Sequence, residues 1–326
     1  MRERLRDRLE ISPERYAQVT AVALGALALI VLTGAGVRLT GSGLGCPDWP
    51  KCYGGTSPPL ESHALIEYGN RLLTGFVGIA VIAASVLAFF RRPYRWHLAL
   101  FGALLPLGVV GQAILGALVV KYHLAPGLVM LHFILSMMLL DAAFALAWCS
   151  RYEPWERRRS SDRLGVWAVR ALIPVGQLTI AAGTVATASG PHAGAHAGQL
   201  VHRFTFEGNG TLEWVVQRHA AIATIYGLAA IGIWFLLRRP GGDRRATKPL
   251  GVVLGLLALQ GVVGGLQWYL KLPTEIVWVH VAIATANWLA MLWTVAAAGR
   301  LEPRGAGAAS NAAHSQAAPR AAAEAL

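Results

Sequence analysis

Gln112–His132 reads QAILGALVVKYHLAPGLVMLH, and Gln260–His280 reads QGVVGGLQWYLKLPTEIVWVH. Both have the pattern Gln-x3-Gly-x15-His, with Gln112, Gly116 and His132 falling on Gln260, Gly264 and His280 at an offset of 148. Moving outward, Asn70 and Gly78 fall on His219 and Gly227 at 149, as do Gly34 on Gly183 and Thr40-Gly41 on Ser189-Gly190. Three separate stretches with nearly one offset mean that the chain is one unit written twice.

Each unit is a set of apolar runs of about 18 residues or more, the length that crosses a bilayer. The runs fall at 17–38, 66–90, 97–120, 127–149, 166–188, 213–237, 249–270 and 275–299. Only 14% of the 326 residues are charged and 55% are hydrophobic, whereas a soluble domain carries roughly 25% charge. The first run lacks a convincing small-residue cleavage site after it and is expected to be retained as a helix. The net charge of +12 would point to nucleic acid in a soluble protein. Its distribution excludes that reading. Loops on one side hold 21 Lys and Arg, and the other side holds four: Lys51, Lys121, Arg203 and Lys271. Basic loops stay in the cytoplasm, so both termini are expected there, in a multi-pass cell-membrane protein surrounded by lipid.

The fold expected is therefore an all-α integral membrane protein of eight transmembrane helices. They form two tandem four-helix bundles related by a pseudo-twofold along the membrane normal. The parts are a cytoplasmic segment 1–16, a first half 17–149, a cytoplasmic linker 150–165, a second half 166–299 and a disordered Ala-rich tail 300–326.

His132, His219 and His280 each enter an even-numbered span from the outer side and lie roughly 8–9 Å below its start. Equal depth on neighbouring helices lets two imidazoles ligate one metal from opposite sides. An intramembrane imidazole is costly unless paired, so it marks function. Zinc would want Cys or carboxylate ligands, and none is near in sequence. Two neutral imidazoles suit six-coordinate haem iron, and His219 with His280 is the natural pair. The competing reading is that each His hydrogen-bonds a facing helix. Gly116 and Gly264 would let helices approach closely or make room for a flat cofactor.

The first half departs from this pattern, with Asn70 in the position of His219. Its haem is then held through His132 alone, or with His63 or His123 moving in. Glu67 shares a helix face with Asn70 and reads either as an acid–base group beside the cavity or as an interfacial partner of Arg71. In the first outer loop Cys46-x5-Cys52 can close a disulfide, as a staple or as a redox pair. His192, His196 and His202 in the third outer loop read as a solvated cap rather than a metal site, and with Trp49 and Tyr53 the loops could lid the cavities.

TGSGLGCPDWPKC at 40–52 and SGPHAG at 189–194 resemble the first-loop and third-loop signatures of the haem A synthase family. The resemblance covers about residues 18–299. It implies an oxidoreductase that converts haem O to haem A by successive hydroxylations of the C8 methyl and loss of water, for cytochrome oxidase. It further implies haem b as cofactor on His219 and His280, and substrate haem at His132 with Asn70 in place of the usual second His. Glu67 would be the essential carboxylate, Cys46 and Cys52 the loop cysteine pair, and the haem O synthase the partner. A non-catalytic b-type cytochrome and a transporter are the alternatives to be distinguished.

Overall fold

A computed structural model describes residues 10–156, 159–196, 198–206 and 208–302. Among these, eight helices are long and apolar enough to cross a membrane: α1 Pro13–Leu39, α2 Ser62–Phe90, α3 Trp96–Lys121, α4 Pro126–Arg151, α5 Arg163–Ser189, α6 Thr211–Arg238, α7 Thr247–Tyr269 and α8 Thr274–Ala298. The protein is thus an all-α membrane protein, as expected. The helices begin up to four residues before the apolar runs, and two of them start on polar side-chain caps. The Ser12 hydroxyl accepts from Arg15 N–H ahead of Pro13, and the Asp162 carboxylate accepts from Gly165 N–H.

Within each half the helices close a ring. α1 packs on α2, α2 on α3, α3 on α4 and α4 on α1, and the same holds for α5 to α8. Between the halves, α1 meets α8, α4 meets α5, and α4 meets α8. This is the set of contacts that exchanging the halves about an axis between α4 and α8 would generate. The α3–α4 and α7–α8 turns also repeat in backbone detail. His123 and Leu124 have φ of 49° and 58°, and Lys271 and Leu272 have 66° and 63°. Left-handed conformation at two successive non-glycine residues is uncommon, so its recurrence 148 residues on marks the duplication independently of sequence.

Side chains facing neighbouring helices are buried, among them Tyr16, Leu98, Leu140, Leu172 and Met291. Those on the perimeter, such as Phe76, Leu107 and Val262, are more than two-thirds exposed and form an apolar belt. A row of interhelical hydrogen bonds sits inside this apolar frame. Thr20 meets Ser150 at 2.7 Å, Asn287 Nδ2 donates to Val253 O at 3.0 Å, and Trp278 Nε1 donates to Leu32 O at 2.9 Å across the two halves. Each is worth about 0.6 kcal/mol on average in a membrane protein, so they set register more than stability.

At the basic end, the linker and the chain beyond α8 are joined. Arg159–Ser160 (β1) pairs in parallel with Arg300–Leu301 (β2), and Glu302 N–H donates to Ser160 O. Residues 300–302, assigned above to a disordered tail, are held by these backbone bonds. Residues 1–9 and 303–326, which complete the expected end segments, lie outside the described residues. Asp162 caps α5 and pairs with Arg239 at 2.6 Å. Nearby, the Arg245 guanidinium holds the Asp243 carboxyl down at about 2.

Candidate functional site

The duplicated Gln and His residues do the same work in both halves. Gln112 Nε2 donates to the His132 carbonyl at 3.0 Å, and Gln260 Nε2 donates to the His280 carbonyl at 3.0 Å. A carbonyl in a helix that accepts a second bond from the next helix fixes the height of its own residue. The sequence shows these glutamines only as markers of the repeat, and their role appears with the structure. Ser136 joins the first-half clamp, accepting from Gln112 at 2.8 Å.

The glycines of the repeat face imidazoles. A Cβ on Gly264 would lie 3.3 Å from His280 Cε1, one on Gly116 would lie 3.7 Å from His132 Cε1, and one on Gly183 would lie 3.1 Å from His219 Cε1. Gly34, the counterpart of Gly183, has nothing within 4 Å, and its half carries Asn70 at the repeat position of His219. Gly183 and Gly264 therefore make room for the rings of His219 and His280, whereas a Cβ at Gly116 would make ordinary contact with His132.

In the second half, the rings of His219 and His280 are 6.3 Å apart between centroids and inclined at 66°. An imidazole nitrogen binds a first-row metal at roughly 2.0–2.1 Å, which puts two imidazoles on opposite sides of one metal about 6.2–6.4 Å apart between centroids. The observed spacing fits a single iron between them. The His219 Nδ1–H donates to Thr179 O at 3.1 Å. A carbonyl can only accept, so this bond fixes the tautomer and leaves Nε2 with a lone pair for a metal. His280 Nδ1 and Gln260 Oε1 are buried without partners.

In the first half, His132 Nδ1, Gln112 Oε1 and Asn70 Oδ1 are likewise buried without partners. His132 lies against Gly116, and a Cβ on Gly34 would meet nothing within 4 Å. His63 is bonded elsewhere. Its Nδ1 bonds Ser42 Oγ at 3.0 Å and its ring stacks on His196 at 4.8 Å. His123 is exposed in the α3–α4 turn. His132, Asn70, His219 and His280 start roughly 9–12 Å inside their helices, the range being wider than the sequence indicates because α6 begins early, at Thr211.

Glu67 is 6% exposed at the start of α2. Its Oε2 accepts from Cys46 N–H at 2.8 Å and its Oε1 pairs with Arg71 at 2.5 Å. Arg71 Nη1 in turn donates to the carbonyls of Asp48 and Lys51, both at 2.9 Å. The Glu67–Arg71 pair thus clamps the loop closed by the Cys46–Cys52 disulfide, whose Cα atoms are 4.8 Å apart. The loop lies so close to α2 that a Cβ on Gly45 would meet His63 O at 2.2 Å. That contact explains a glycine immediately before Cys46.

This loop is zipped to the one between α5 and α6. Gly43 N–H donates to Gly194 O at 2.7 Å, Arg38 Nη1 to His192 O at 2.8 Å, and the His192 Nε2–H to Leu272 O at 2.7 Å. The three loop histidines expected to cap the molecule therefore divide: His192 and His196 brace the loops, and His202 is exposed. Among the described residues no cluster of three or more His, Cys, Asp or Glu side chains could hold a metal ion.

One polar contact has no sign in the repeat. Trp288 Nε1 on α8 donates to Asp141 Oδ1 on α4 at 2.6 Å, at the junction of the two halves. A lone acid within an apolar run is the signal that could have revealed it.

The chain is 35% identical over 137 residues to the haem A synthase of Lysinibacillus sphaericus, covering 41% of this chain and 44% of that protein. It is 33% identical over 120 residues to the haem A synthase of an Exiguobacterium species, covering 36% and 39%. A Thermus thermophilus protein named protoheme IX farnesyltransferase is 27% identical over 300 residues, covering 87% of this chain and 49% of that protein. The chain spans less than half the length of these curated relatives. Residues 17–65 and 60–292 match the COX15-CtaA family, described as cytochrome oxidase assembly protein, so most of the chain and both halves are covered, and the chain belongs to that family.

Proposed function

We propose that this protein is a haem A synthase, which oxidises the C8 methyl of haem O to the formyl of haem A for cytochrome oxidase assembly. The observation that carries the proposal is the His219–His280 pair, spaced at 6.3 Å for one iron, inside a chain of this family. These two residues hold haem b, which supplies electron-transfer chemistry when bound. Saturated ligation suits that task, whereas an open iron face suits reaction.

The first half takes haem O as substrate. His132 on α4 is assigned to its iron, and Asn70, a poor iron ligand, occupies the repeat position that His219 has in the second half. Each of the two hydroxylations adds the oxygen of one water to the carbon and releases two protons and two electrons, the electrons passing to an external oxidant, and loss of one water from the resulting gem-diol leaves the formyl. Protons released at the carbon need an acceptor, and Glu67 is assigned that role. Arg71 orients its carboxylate, and the Cys46–Cys52 loop above it excludes water. The loop side faces the oxidising compartment and the basic side faces the cytoplasm, in keeping with the disulfide and the charge distribution. The likeness to a protein named for farnesyl transfer to protohaem supports a haem O synthase as the partner that supplies substrate.

The test is expression in a host that makes haem O, followed by porphyrin extraction and mass analysis. A formyl porphyrin that disappears with Glu67→Gln is expected. Recovery of unmodified haem O with the wild-type chain would instead favour a b-type cytochrome.

A further inference from the structure

A cavity of about 440 Å³ opens at the disulfide-bearing end of the second bundle. Its lining includes Ser189, Arg203, Leu212, Trp268, Lys271 and Leu272. Three of these sit directly outward of the imidazole cradle, each on a helix that builds it. Ser189 on α5 is six residues beyond Gly183, Leu212 on α6 is seven before His219, and Trp268 on α7 is four beyond Gly264. At 1.5 Å per residue these steps are roughly 6–10 Å along the helix axes. The carboxylate arms of a porphyrin project from its metal over a comparable span.

The cavity is apolar on its walls and cationic at its rim. Arg203 Nη2 donates to the backbone oxygen of Pro191, and burial holds the guanidinium below its ordinary value. Among the described residues neither Arg203 nor Lys271 is within ion-pair distance of a carboxylate. A third cation, Arg38, lies close enough to repel Arg203. Ser189 Oγ is buried in the lining without a hydrogen-bond partner. Two cations and an unused hydroxyl around one mouth form a site for a dianion. Lys271 is held there by its left-handed backbone, φ 66°, in the same turn geometry that places His123 at the corresponding point of the first half.

We infer that Arg203, Lys271 and Ser189 bind the two propionate groups of the porphyrin held between His219 and His280, and so orient it with its carboxylates outward. This rests on the haem-ligation reading above. It also makes the two halves unlike, since His123 offers no fixed charge where Lys271 does.

The test is reconstitution of the full-length apoprotein in detergent with iron protoporphyrin IX and, separately, with its dimethyl ester, followed by Soret titration. Wild type is expected to bind the free acid at least about tenfold more tightly than the ester, as charge-assisted hydrogen bonds require. The Arg203→Gln/Lys271→Gln double variant should lose that preference while retaining a bis-imidazole spectrum, and Arg203→Lys should keep much of it. Equal affinity of wild type for acid and ester would overturn the inference, as would an undiminished preference in the double variant. Failure of wild type to give a bis-imidazole spectrum with either porphyrin would overturn the ligation itself, and this inference with it.

Discussion

Alanine at Gly183 and at Gly34 should have opposite consequences, although the two positions correspond in the repeat. Both lie inside helices, where Gly→Ala gains about 0.8–1.0 kcal/mol of intrinsic helix stability on the aqueous scale. At Gly34 a Cβ meets nothing within 4 Å, so that gain should stand. At Gly183 the Cβ falls 3.1 Å from His219 Cε1, tighter than ordinary contact, and 3.5 Å from Nδ1. Overpacking of this kind costs about 1–3 kcal/mol, and here it is relieved by moving the imidazole proposed as an iron ligand. At 1.4 kcal/mol per factor of ten, haem b affinity should fall about 5- to 150-fold in Gly183→Ala. Gly34→Ala should leave it within about twofold of wild type and match or raise the thermal midpoint. Soret titration of the purified apoproteins, with thermal unfolding alongside, reads both effects. Equal losses in the two variants, or full affinity in Gly183→Ala, would refute the idea that the glycine exists to seat the ring.

Glu67→Gln keeps an acceptor for Cys46 N–H but removes the ion pair with Arg71; it should lower stability by about 1–3 kcal/mol and loosen the Cys46–Cys52 loop, seen as faster reduction and alkylation of the two cysteines. Trp288→Phe leaves the Asp141 carboxylate unpaired between α4 and α8, and detergent unfolding should show a loss of about 1–2 kcal/mol that Asp141→Leu, combined with it, largely restores. Asp243 titrates near 2 beside Arg245, below its ordinary 3.8. Its folded-state value is depressed, so its contribution is present above about pH 4 and is lost as pH falls toward 2. Asp243→Asn should flatten that part of the acid-unfolding profile.

The architecture was legible because membrane helices must satisfy their own backbone and therefore show as long apolar runs. The duplication was legible because both copies keep Gln, Gly and His at the same height for the same geometric reason. That the rings of His219 and His280 meet was legible from their similar depth and their place in one half of the repeat. Contacts that depend on chain segments remote in sequence were hidden. The stack of His63 on His196, the bond from Gly43 to Gly194 and the Asp141–Trp288 contact join elements that no periodicity links. Glu67 shows the limit most clearly. Spacing allowed either a pair with Arg71 or a group beside the cavity, and only the folded loop reveals that Arg71 pairs with Glu67 and also holds the Cys46–Cys52 segment.

The most direct test is the electron paramagnetic resonance and Soret spectrum of purified protein loaded with haem b. The account predicts a low-spin, six-coordinate ferric signal that is lost in His219→Ala and in His280→Ala taken singly, and that persists in His132→Ala. A low-spin signal that survives both second-half substitutions, or that disappears with His132→Ala alone, would contradict it.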